Sequence, residues 1–363
     1  MKIVQLLPEL NEGGVERGTV ELSREMVKRG IDSIVISAGG KLAEQIDTDG
    51  GRHICFDLCS KNPLTAPLRI YQLRKLLEKV APDILHARSR VPAWIAYLAN
   101  KTLTIPFVTT VHGFNSVNAY SRVMIYGDRV ICVSNAIKGY IQQHYQVPDE
   151  KISVIPRGVD LELFDPKNID QEFILRFKEK YQLDDRFVVT SVGRITQLKD
   201  YETFIRGLVA AKEKIPNICG LIVGGVRQDK QGYFAFLRNI VTEFGANGFI
   251  HFAGSHNKIA EIFSLSDILV VCSKKPESFG RTAAEALAMN VPVIATNHGG
   301  ILDIVREGET GSLFSVGDYE RLSGKIASIQ KMSFLSLRDR VVEEFSLEQM
   351  VEKTVGVYRD IFP

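Results

Sequence analysis

ILVVCSKKPESFGRTAAEALAMNVPVIATNHGG, residues 268–300, contains two unbroken apolar runs, ILVVC and VPVIA, separated by a polar loop and an alanine-rich stretch. Strands buried on both faces of a parallel sheet read as continuous apolar runs. The segment therefore reads as strand, loop, helix and second parallel strand. Outward from it, similar runs recur at 187–192, 220–223 and 249–252, and an earlier set lies at 2–7, 33–37, 84–86, 107–111 and 129–133. Helix-like stretches such as 15–29 and 68–80 separate the runs, and alternation of this kind implies βαβ units and parallel sheets. IPRGVDLELFDP, residues 155–166, interrupts the pattern with turn-forming residues and reads as the hinge between two sets. The expected architecture is α/β: two facing doubly wound, Rossmann-like domains with a cleft between them. Residues 1–165 form one domain and 166–346 the other, and a final helix within 347–363 packs back across the boundary.

Composition agrees with two globular domains. The chain has 363 residues, 45% hydrophobic and 24% charged, too long for one ordinary core. No apolar run approaches the ~18 residues of a membrane-spanning helix, and the N-terminal MKIVQLL lacks a cleavage signal and reads as a strand. Five scattered cysteines suit reduced thiols in a cytoplasmic protein. A net charge of +2 gives no support for nucleic-acid binding. Residues 60–90 nevertheless hold seven Lys or Arg against only Glu78 and Asp83. That excess suits either a solvated helix face or attraction to an anionic membrane surface.

In doubly wound sheets ligands bind beyond the carboxyl ends of the strands, so the residues there carry the chemistry. Gly13 and Gly14 follow the first strand and open a helix, where backbone can approach a phosphate or simply make a tight turn. Arg88 and Arg90 follow the third strand, and His112, Gly113 and Asn115 the fourth; polar packing and site roles both suit these positions. Arg194 and Lys199 follow the strand 187–192 and suit a diphosphate, through charge-assisted bonds worth ~1.5–3 kcal/mol each; solvated surface charge is the bland alternative. After ILVVC come Glu277 and Ser278 in the loop and a helix that begins near Gly280, where the N–H groups of Phe279, Gly280, Arg281 and Thr282 point at an incoming anion. Glu285 lies about one turn, ~5.4 Å, further on, placed to hold a ribose diol.

This set, GG at Gly13 and Gly14, VHG at His112, IPRGVD, Arg194 with Lys199, the Glu277–Glu285 pair and GG at 299–300, resembles the retaining glycosyltransferases of family 4 with the GT-B fold. The likeness covers nearly the whole chain, and the wording of HARSRVPAW and ESFGRTAAEALAMNVPVIA is similar to members serving lipopolysaccharide-core or other envelope glycan assembly. The resemblance implies that His112 contacts the donor sugar, that Arg194 and Lys199 neutralise the diphosphate, and that Gly14 approaches the phosphates. It also implies that Glu277, with the backbone of Phe279 and Gly280, holds sugar hydroxyls while Glu285 holds the ribose. The donor is expected to be a UDP-sugar. Arg17, Arg88, Arg90 and Asn115 are expected on the side of a glycan or lipid-linked acceptor, at the cytoplasmic face of a membrane.

Ser278 departs from the glycine of many relatives, so the sugar is not to be inferred from them. No metal is expected: the one Asp-x-Asp string, Asp47 to Asp49, reads as a surface turn. The resemblance favours front-face transfer with retention. A nonhydrolysing epimerase of the same architecture is the alternative, although no second acid–base set for it appears. A two-domain sugar-binding protein is a third, disfavoured by the cationic residues suited to diphosphate.

Overall fold

The computed structural model describes residues 1–11 and 13–362; Glu12, beside the paired glycines, lies outside the described residues. The chain forms two compact units, Met1–Gly158 with Ser346–Pro363, and Val159–Phe345.

The first unit holds seven parallel strands, β1 (Lys2–Leu6), β2 (Asp32–Ser37), β3 (Arg52–Cys55), β4 (Ile84–Ala87), β5 (Phe107–Val111), β6 (Arg129–Cys132) and β7 (Ile152–Val154), in the order β3-β2-β1-β4-β5-β6-β7. The second holds six, β8 (Phe187–Val192), β9 (Ile218–Val223), β10 (Ile250–Gly254), β11 (Ile268–Val271), β12 (Val293–Thr296) and β13 (Gly311–Phe314), in the order β10-β9-β8-β11-β12-β13. Their pairings are parallel, as in β11 with β12, where Leu269, Val270 and Val271 face Val293, Ile294 and Ala295. These six residues are buried, which is why both runs read as apolar throughout.

The helix Leu347–Ile361 covers one face of the first sheet. Leu347, Met350, Val351, Val355 and Tyr358 pack with Ile3, Ile84, Val108 and Ile131, and the hydroxyl of Ser346 caps the helix by accepting from the Gln349 N–H at 3.2 Å. The chain leaves the first unit after Gly158 rather than after residue 165. Val159 N–H donates to the Phe345 carbonyl at 2.8 Å. The Arg338 guanidinium holds the carbonyls of Leu161, at 3.0 Å, and Phe164. The later part of the expected hinge is thereby fastened to the second unit. In each sheet the strand order reverses once, between β1 and β4 and between β8 and β11.

Candidate active site

At the reversal in the second sheet, the loops leaving β8 and β11 are fastened together. Lys199 Nζ lies 2.6 Å from Glu277 Oε1, the hydroxyl of Ser273 donates to the same oxygen at 2.6 Å, and Lys274 N–H donates to the Leu198 carbonyl at 2.8 Å. Burial pushes the Glu277 carboxyl up, but the Lys199 ammonium, the Ser273 hydroxyl and nearby His298 outweigh it and hold it below its ordinary value. Glu277 is thus an anion with a fixed cationic neighbour.

The backbone of Glu277 is fixed from the other side by the paired glycines. Gly300 N–H donates to the Glu277 carbonyl at 2.6 Å. Gly299 has φ +79°, and a Cβ there would lie 2.7 Å from the Glu277 carbonyl oxygen. Gly280, at φ +102°, precedes the helix Arg281–Ala288, whose start carries no side-chain cap. Those N–H groups are the kind that receive anions. Phe279 is buried and packs on Phe345 at 5.8 Å between ring centroids. Glu285 lies one turn along the helix, its Oε1 2.8 Å from Arg281 Nε, so two residues expected to bind the donor are engaged with each other. Ser278 and Thr282 are half-buried beside them. Arg194 is exposed at the end of β8, and the loop's hydrogen bonds join Lys199 rather than Arg194 to Glu277.

The reversal in the first sheet builds a hollow of about 190 Å³, lined among others by Glu16, Arg88, Arg90, His112, Gly113 and Asn115. His112 Nδ1 lies 3.2 Å from Arg157 Nη2, while its Nε2 is buried without a partner among the described residues. Burial, then Arg157, Arg88 and His86, hold the ring well below the ordinary histidine value. Arg88 is buried, donates to Gln5 Oε1 at 2.9 Å, and burial draws it down to about 10. Arg90 donates to the hydroxyl of Ser121 at 3.2 Å and lies over the Tyr120 ring. The Asn115 carbonyl accepts from Tyr140.

Arg17 is exposed on the first turn of the helix Gly14–Lys28 and is not part of this lining. Gly14 opens that helix, and a Cβ on it would come within 2.8 Å of Arg157 Nη1. Asp47 and Asp49 serve local structure, accepting from His53 N–H at 2.8 Å and Gln45 Nε2 at 2.9 Å.

The sequence reading missed three residues near His112. Arg157 was hidden in the hinge motif. His86 and Tyr358 form a buried pair, Nδ1 to hydroxyl at 2.6 Å, with His86 Nε2 2.6 Å from the hydroxyl of Thr110. A histidine inside an apolar strand was the one available signal.

Comparison with known proteins gives both halves a family. Residues 12–163 match the Glycosyltransferase Family 4 model and residues 173–345 the Glycosyl transferases group 1 model. A glycosyltransferase from Rickettsia africae ESF-5 is 30% identical, with a TM-score of 0.88 over 99% of this chain and 98% of that one. The UDP-Gal:alpha-D-GlcNAc-diphosphoundecaprenol alpha-1,3-galactosyltransferase of Escherichia coli is 27% identical over 99% of this chain and 96% of its own length. HepE of Anabaena, solved with UDP and glucose, shares the fold at 20% identity and a TM-score of 0.82, covering 98% of this chain and 99% of its own. With two parallel sheets built as in these enzymes, the chain belongs to the group 1 glycosyltransferases of the GT-B fold, hexosyltransferases that use a nucleotide-sugar donor.

Proposed function

We propose that this chain moves a hexose from a UDP-sugar to a glycan or lipid-linked acceptor, with retention and without a metal, in the synthesis of lipopolysaccharide or another envelope glycan. The observation that carries the reading is the Lys199–Glu277 pair at 2.6 Å, set beside an uncapped helix start at the strand-order reversal. Residues 159–345 are the donor side: Arg194, Lys199 and the N–H groups of Phe279 to Thr282 take the diphosphate, Glu277 the sugar hydroxyls and Glu285 the ribose. Residues 1–158 are the acceptor side. There Arg88, Arg90 and Asn115 line the hollow and, with Arg17, receive the acceptor, while the backbone at Gly13 and Gly14 approaches the phosphates. His112 contacts the donor sugar.

In the reaction the bond from the anomeric carbon to the diphosphate oxygen breaks through an oxocarbenium-like state. The acceptor oxygen bonds on the same face, and its proton passes to the departing phosphate. Glu277 is tied to Lys199 and poorly suited to attack as a nucleophile. Catalysis on this reading rests on positioning and on stabilising the leaving group. The undecaprenol-linked substrate in the name of the Escherichia coli relative supports a lipid-linked acceptor at the cytoplasmic face of a membrane.

A donor panel tests the proposal. UDP and UDP-hexoses should raise the melting temperature more than other nucleotides, by mass action. Transfer should persist in excess chelator, and Lys199→Ala should lower turnover on the order of 10²-fold or more. Loss of transfer on chelation with recovery on Mn²⁺ would overturn the metal-free part. Consumption of donor without any acceptor would favour an epimerase.

A further inference from the structure

The first unit carries an unpartnered apolar stripe on a basic background. The helix Ala66–Val80 turns Leu73, Leu77 and Val80 inward. On its outer side Leu68 and Tyr71 are 58% and 59% exposed, and Leu64, in the turn before it, is 88% exposed. Leu68 and Tyr71, three apart within the helix, are neighbours along one helical face. Lys75, four residues on from Tyr71, and Lys79, one turn beyond it, are exposed and continue that face, and Lys61 is exposed in the segment that leads into the helix.

The turn is held in place, since buried Arg69 donates from Nη2 to the Asn62 carbonyl at 3.2 Å. Arg69 Nε and Nη1 have no partner among the described residues, so a positive charge lies beneath the stripe. Glu78 is occupied by Arg74 at 3.1 Å and Lys75 at 2.9 Å.

We infer that Lys61, Leu64, Leu68, Tyr71, Lys75 and Lys79 form a docking face for the surface of an anionic lipid bilayer. The three apolar side chains enter the headgroup boundary and the lysines lie among lipid phosphates. Apolar area and cationic charge on one face are the two terms that add in interfacial binding, and the same lysines disfavour a second copy of this face as the occupant. The inference rests on the lipid-linked acceptor reading and gives that acceptor's membrane a place to bind.

The test is co-sedimentation of the full chain with vesicles of phosphatidylcholine alone or mixed with phosphatidylglycerol. Binding is expected only to the mixed vesicles and should weaken as salt rises. Leu64→Ser with Leu68→Ser should reduce partitioning on the order of tenfold or more. Lys61→Glu with Lys75→Glu should abolish the dependence on phosphatidylglycerol. Each variant should keep the wild-type thermal shift with UDP, which separates failure of docking from failure of the glycosyltransferase reading. No binding to mixed vesicles, unchanged binding in the serine variant, or a wild-type dimer that the serine variant dissolves would each overturn the inference.

Discussion

The hydrogen bond between Arg157 and His112 determines what that imidazole can do. A guanidinium has only donors, so at 3.2 Å the His112 Nδ1 must accept and the ring proton sits on Nε2. Burial and the neighbouring charges keep the ring neutral. His112 is then a neutral donor rather than a general acid or base, and its buried Nε2–H, unpartnered among the described residues, costs about 1–3 kcal/mol until an acceptor oxygen reaches it. The amide nitrogen of glutamine reaches about as far as Nε2, whereas that of asparagine reaches only to Nδ1. His112→Asn should therefore lose roughly 10²-fold in kcat and His112→Gln markedly less. Steady-state kinetics compares them, and equal losses would remove the donor assignment. His112 and Glu277 were legible in the sequence because each follows a strand and stands near glycine. Arg157 and Tyr358 were not, because the contacts that matter join residues 45 and 272 positions apart, which no local pattern encodes.

Among the elements, most of the strands legible in the sequence were buried apolar runs. The sequence reading passed over β3, β7 and β13. β3 is RHIC, half-exposed at a sheet edge; β7 is the three residues ISV at the other edge; β13 begins with Gly311. None offers a continuous apolar run, and pairing with a neighbour, rather than propensity, makes them strands.

The turn at Gly299 shows how an element boundary serves the site. Gly299 and Gly317 have nearly the same positive φ, +79° and +78°, but Gly299, with ψ −161°, sits in a region open essentially only to glycine, and a Cβ there meets the Glu277 backbone while one at 317 meets nothing within 4 Å. Gly317→Ala should cost only the backbone strain, about 1–2 kcal/mol. Gly299→Ala should cost more, and because it displaces the loop carrying Glu277 it should also raise the donor KM, on the order of tenfold. Thermal melts and donor titrations on the pair separate strain from displacement, and a Gly299→Ala variant with an unchanged donor KM would show that the bridge to Glu277 is irrelevant to binding.

Across the whole molecule the buried titratable groups are unevenly divided, so the two units should respond differently to acid. His86 and His112, both in the first unit, are held well below the ordinary histidine value, chiefly by burial and then by cationic neighbours. In the unfolded chain each takes up a proton near pH 6.5. Below that pH the unfolded state binds more protons than the folded one, so their contribution to stability is complete above about pH 6.5 and is lost as the pH falls toward the lowered folded values. Each can remove up to about 1.4 kcal/mol per pH unit across that window. In the second unit Glu277 also has a lowered value, but its stabilisation begins to fail only near the ordinary carboxylate range, about pH 4.5, and His251, partly buried there, adds a smaller loss above it. Calorimetry from about pH 7.5 to pH 5 should therefore show the first unit's melting transition moving down before the second's. His86→Gln removes one of the titrating groups and should flatten that slope whatever it does to the melting temperature itself. A first transition indifferent to pH over this range, or a slope unchanged in His86→Gln, would mean that the polar interior around His112 accepts a proton without penalty, and the neutral-donor role argued for His112 would fail with it.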